Sequence, residues 1–195
     1  LLTKNFIKLN NHESLKEIFS LIFPEFKYLE RLKKLNEISN QSYFNKKILL
    51  AILLVDGTNN HEYFSHKYNI SNDLKESLNF LANNFIKFHE NKKFFQKDLK
   101  KNIFYFGEKN LRILNLINFS NNKKYKLQDF LKTSKIIQEI SLPKFPFDGN
   151  YLKIRGVKEG IAIGQVLKLL ENEWLNNDFK ISDQKISQIV NDRNN

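Results

Sequence analysis

The chain has 195 residues with a formal charge of +11, 18 phenylalanines, seven tyrosines and no cysteine. That length suits one domain or two small ones, and the 41% hydrophobic share is enough to bury a core, which excludes a disordered chain. Disulfides and thiolate metal sites are excluded, and the basic excess points to a polyanionic partner, either nucleic acid or an anionic membrane surface. The longest apolar run, Ile48 to Val55, is closed by Lys47 and Asp56. It is far short of the ~20 residues that a membrane span needs, so it reads as a buried helix. No charged, then apolar, signal segment opens the chain, and it begins Leu1-Leu2 rather than with Met. The expectation is a cytoplasmic fragment or trimmed form of a longer chain.

Apolar residues recur at spacings of three and four almost throughout, and no proline occurs from residue 25 to 142. The pattern predicts an all-α array of antiparallel helices. Ser14 is placed to cap a helix carrying Leu15, Ile18, Phe19 and Ile22, stopped by Pro24. Phe26 to Ile38 continues with Leu29, Leu32 and Leu35 inside and Arg31, Lys33 and Lys34 as a basic face. Ser42 is the expected cap of the apolar helix to Val55, and Asp56-Gly57 makes a turn. A short helix spans His61 to Tyr68. Ser71 then opens a long helix with Leu74, Leu78, Leu81, Phe85 and Phe88 on one stripe. Two helices, Phe94 to Phe106 and Glu108 to Phe119, are separated by a break at Gly107. A lysine-bearing loop follows, then a helix from Leu127 to Ile140. The expected division falls near Ser120 to Lys126, giving a helical body over 1–120 and a smaller helical tail over 121–195.

The tail holds two of the three prolines, four of the six glycines and the only tryptophan. Pro143 and Pro146 keep residues 141–147 extended. Asp148 is placed to cap a short helix, Tyr151 to Arg155, ended by Gly156. Gly156 to Gly160 forms a tight hairpin, and a longer helix starts near Ile161 with Ile163, Val166, Leu167, Leu170 and Trp174 as its buried stripe. Ile181 to Val190 is a terminal helix. Gly160 and Gly164, one turn apart, would let another backbone approach closely. Such a hairpin presents backbone N–H groups and a helix N-terminus, features that bind phosphate. Lys144, Lys153, Arg155 and Lys158 cluster around it, so these four with Gly156 and Gly160 are the candidate RNA-phosphate contacts.

No catalytic constellation is visible. There is no phosphate-binding Gly-x-x-x-x-Gly-Lys-Ser/Thr loop, and His66 stands one place too late after His61-Glu62 for a zinc helix. No Asp-x-Asp pair exists to hold the metal ions of nucleotidyl transfer, and Glu171 and Glu173 point to different sides of a helix. The reading assigns no catalytic residue, no metal ligand and no cofactor site to this chain.

Phe145-Pro146, Gly149, Leu152, Gly156, Gly160, Ile163-Gly164, Leu167, Glu171 and Trp174 together resemble the C-terminal region of the bacterial CCA-adding tRNA nucleotidyltransferases, in the class that also contains poly(A) polymerases. Fainter likeness runs back through Leu15–Pro24, Arg31–Leu35, Ile48–Leu54, Asn69–Leu78 and Phe104–Leu114. Tyr151 stands where the family usually has Asp, and Glu159 where a proline is common. The resemblance implies a body and tail that hold the acceptor arm and elbow of tRNA while a head, absent here, adds nucleotides. Mg²⁺, CTP and ATP would be bound only by that head and its neck. A separate catalytic head chain is an implied partner if the gene is split. The alternative readings are a helix-hairpin-helix nucleic-acid-binding module and a non-catalytic split-gene subunit.

Overall fold

The computed structural model describes residues 12–38, 44–91 and 93–192. These residues form ten helices and no strand, in two compact units that divide between Ile140 and Ser141. The all-α expectation holds.

The first unit carries α1 (Glu13–Ile22), α2 (Arg31–Leu35), α3 (Lys46–Leu54), α4 (Asn60–Lys67), α5 (Asn72–Glu90), α6 (Leu99–Asn121) and α7 (Leu127–Glu139). Its centre is α3. A helix that is apolar all round has no face to give to water, and α3 accordingly packs against α2, α4, α5 and α6. Ala51 to Leu54 and Val55 beyond it have no solvent exposure at all. Each fully buried Leu, Ile or Val side chain of this kind contributes roughly 1.5–3 kcal/mol, so the run from Leu49 to Val55 is a substantial part of the unit's core. Ser42, the expected cap, lies outside the described residues; Asn45 caps α3 by accepting a bond from the Ile48 amide at 3.0 Å.

Arg31 is not on a basic surface face. It is 5% exposed, and its Nη1 donates to the carbonyls of Ile52 at 3.0 Å and Val55 at 2.7 Å. Those carbonyls close the C-terminus of α3, where helical acceptors have no partner in the helix and the dipole favours a cation. The guanidinium also lies 4.1 Å from the Tyr28 ring centroid. Burial lowers its pKa, while Tyr28, Asp56 and Glu30 pull the other way. Lys34 is likewise structural: its Nζ donates to the carbonyls of Asn122 and Tyr125, both at 2.6 Å, beyond the end of α6. Only Lys33 of the three is exposed. The short α2 replaces the longer helix expected over 26–38, because residues 24–30 are turns that bring Phe26 onto Phe64.

A second buried ionic group ties α4 to the segment before α2. Glu25 is 3% exposed and accepts from Lys67 Nζ at 2.7 Å and Tyr68 Oη at 3.2 Å. Burial alone would raise the Glu25 pKa, but the bonds from Lys67 and Tyr68 outweigh it and hold the carboxyl below its ordinary value. A carboxylate depressed in the folded state adds stability above its unfolded pKa, and that stability is lost as pH falls through the folded value. Glu25→Gln should therefore lower the melting temperature at pH 7, with the difference from wild type shrinking steadily below pH ~4.3, the ordinary Glu value. Thermal unfolding at pH 7 and pH 3 measures it.

The expected break at Gly107 is present as a single non-helical residue, φ 75° and ψ 155°, inside α6. The expected boundary at 120–126 is not where the units part. Asn115, fully buried on α6, donates to the Phe130 carbonyl at 3.2 Å and Ser134 Oγ at 2.9 Å on α7, and accepts from Tyr125 Oη at 2.8 Å. Phe119 and Phe130 pack with their rings tilted and centroids 4.9 Å apart. These buried contacts make α7 part of the body. Helix α1 departs from expectation too: it buries none of its residues, and Ile18 and Ile22 remain about half exposed.

The second unit holds α8 (Gly149–Ile154), α9 (Ile161–Asn176) and α10 (Asp183–Asn191) around a core of Leu152, Val157, Val166, Leu170, Ile186 and Val190. The extended segment lays Phe145 and Phe147 against this core. Phe145 meets Trp174 edge-on at 5.4 Å. Helix α9 ends in a Schellman motif: the Phe179 amide donates to the Trp174 carbonyl at 2.8 Å, Asp178 takes the left-handed position at φ 51°, and the two aromatic rings pack at 4.8 Å. Trp174 is therefore an architectural residue.

Candidate nucleic-acid interface

The hairpin between α8 and α9 is built by local rules. Asp148 Oδ1 accepts from the Tyr151 amide at 2.8 Å and caps α8, as expected. Gly156, at φ 83°, ends α8 in a second Schellman motif: its amide reaches the Lys153 carbonyl at 3.0 Å, and the Val157 amide reaches the Leu152 carbonyl at 3.1 Å. Leu152 and Val157 are the paired apolar residues of that motif, and both lie in the core. Gly160, at φ 102°, is the N-cap of α9, and no side chain caps that helix. The two glycines are required by backbone conformation, since L side chains rarely adopt these angles.

The six candidate residues fall in this one unit, all exposed. Their charges are not equally available. Lys153 Nζ pairs with Glu159 Oε1 at 2.8 Å, and the hydrogen bond from Lys153 lowers the Glu159 pKa. The Arg155 guanidinium lies 3.6 Å from the Tyr151 ring centroid. Lys144 and Lys158 have no carboxylate partner among the described residues. The acidic residue at position 159 thus offsets one of the four cations.

Two exposed isoleucines that sequence reasoning passed over flank the hairpin. Ile154 closes α8 at 85% exposure, and Ile161 opens α9 at 82%. The signal was present: both fall outside the apolar stripes of their helices. Gly164 is exposed as well, and a Cβ built on it meets no heavy atom within 4 Å. No close backbone approach among the described residues explains that glycine. Gly164→Ala should raise the stability of the unit by about 0.5–1 kcal/mol, as it does for a helical glycine with open space around it. Denaturant unfolding followed by Trp174 fluorescence measures this.

Charge is divided unevenly along the chain. Residues 1–140 contain 24 Lys or Arg against 14 Asp or Glu, whereas residues 141–195 contain eight against seven. The excess positive charge therefore resides almost entirely in the first unit. Exposed lysines there include Lys46 and Lys47 at the start of α3 and Lys123, Lys124 and Lys126 near the start of α7. Lys47 forms an ion pair with Asp73.

Among the described residues, no group of three or more His, Asp or Glu could hold a metal ion, and no helix is long and apolar enough to cross a membrane. His61 is buried at 5% exposure and His66 is exposed on the same helix. No family model, no curated protein and no solved structure matches the chain.

Proposed function

We propose that this chain is the tRNA-binding helical portion of a CCA-adding tRNA nucleotidyltransferase, without the catalytic head. One observation carries the reading. Phe145, Leu152, Gly156, Gly160, Ile163 and Trp174, the residues of the family-like ensemble, all belong to one small unit whose exposed hairpin carries Lys153, Arg155 and Lys158. The chain's +11 charge supports a polyanionic partner.

In this reading the hairpin touches the sugar–phosphate backbone of the acceptor arm or elbow, and positions the tRNA without reading its bases. The more basic first unit supplies most of the electrostatic attraction. The chemistry belongs to a head that binds Mg²⁺, CTP and ATP, on the same longer chain or on a separate one. The reading implies a cytoplasmic protein. The hairpin's two positive-φ glycines between helices also suit a helix-hairpin-helix DNA module, which is the competing reading. The test is salt-dependent binding of folded tRNA against duplex DNA by the intact chain. Incubated with tRNA, CTP, ATP and Mg²⁺, the chain alone should incorporate no nucleotide.

A further inference from the structure

A second site of different character lies between α5 and α6 in the first unit. Phe80, Asn83, Asn84, Lys87, Tyr105 and Phe106 line an open pocket of about 530 Å³. Its walls are aromatic. Phe80 and Phe106 meet edge to face at 6.1 Å, and Tyr105 is 46% exposed. The Lys87 ammonium stands 5.8 Å from the Phe106 centroid, at the exposed rim. Asn84 is 4% exposed; its Nδ2 donates to the Phe80 carbonyl at 2.8 Å, while its Oδ1 is buried with no hydrogen-bond partner.

An orphaned buried acceptor costs about 1–3 kcal/mol, and the Asn84 side chain otherwise bonds only to the Phe80 carbonyl of its own helix. A purely apolar occupant would leave both the acceptor and the ammonium without use. An occupant with a flat π surface, an N–H donor on its edge and an attached anion uses all three groups.

We propose that this pocket takes an unstacked nucleobase of a single-stranded polynucleotide. The base stacks on Tyr105 and the Phe80–Phe106 wall, and the adjoining phosphate meets Lys87. The base edge donates an N–H to Asn84 Oδ1, the unpartnered acceptor of the pocket lining, which a local rearrangement of that lining uncovers. The strongly basic first unit complements such a strand. This site is independent of the α8–α9 hairpin and stands whether or not the chain serves a tRNA-processing enzyme.

The test uses the whole chain and two 5′-fluorescein RNA octamers, one of eight adenylates and one with the same backbone and abasic positions, followed by anisotropy at low salt. The adenylate strand should bind about 5–10-fold more tightly than the abasic strand, in line with the value of one base–aromatic stack. Tyr105→Ala should remove that difference, and its side chain is exposed enough for the fold to survive. Lys87→Gln should weaken both strands and lower the salt dependence. The side-chain amide resonances of Asn84 should shift on titration with the adenylate strand and not with the abasic one. Equal affinity of wild type for the two strands, or an Asn84 amide that does not move, would overturn the proposal.

Discussion

Replacing Arg31 with leucine should lower the unfolding free energy by about 3 kcal/mol, measured by urea denaturation at pH 7. The side chain is buried, and two short bonds join it to the carbonyls of Ile52 and Val55 at the end of the central helix. Removing the guanidinium leaves those acceptors dry and unpaired. Leucine fills part of the volume but supplies no donor. Lysine restores the charge but not the planar guanidinium, whose Nη1 reaches both carbonyls while its face lies near the Tyr28 ring, so Arg31→Lys should recover only part of the loss. The paired control is Lys33→Leu on the same short helix. Lys33 is exposed, and its loss should change stability by no more than about 0.5 kcal/mol.

Changing Lys153, Arg155 and Lys158 together to Glu should weaken tRNA binding by roughly tenfold or more at 50 mM salt, with a smaller loss at 200 mM. The same variant should fold normally, because all three side chains are exposed. Trp174 reports this directly: it is the only tryptophan and is packed against Phe145 and Phe179. The ion pair between Lys153 and Glu159 adds a prediction of opposite sign. Glu159→Gln frees the Lys153 ammonium and removes a negative charge from the hairpin, so it should tighten tRNA binding by about 2–5-fold at low salt. A hairpin whose charges serve only packing would show neither effect. Among single changes, Lys158→Glu should cost more than Lys153→Glu, since Lys153 is already offset.

The helices were legible because their period and their breakers are local. Gly107, the Asp56-Gly57 turn, the Asp148 cap and the start of α9 near Ile161 each depend on a few neighbouring residues. The polar interior was not legible. Arg31, Glu25 and Asn115 read as surface residues by type, and their partners lie 10 to 43 positions away in sequence. For the same reason α7 reads as tail when it is body: the lysine-bearing loop before it resembles a linker, but Asn115 and Phe119 hold it from the preceding helix. The close of α9 was hidden because Asp178, not glycine, holds the left-handed position. In the hairpin, the helix-end positions of Gly156 and Gly160 were readable from the glycine spacing. The pairing of Lys153 with Glu159 was not, because a turn brings together residues six apart. The pocket on α5 and α6 left no motif, since Phe80 and Phe106 come from different helices.

The most direct measurement is competition between a folded tRNA transcript and a duplex DNA of equal length for the intact chain, followed across 50 to 200 mM salt. The account predicts at least about tenfold preference for tRNA, with affinity falling steeply as salt rises. Equal or tighter binding of the DNA, or tRNA binding indifferent to salt, would contradict it.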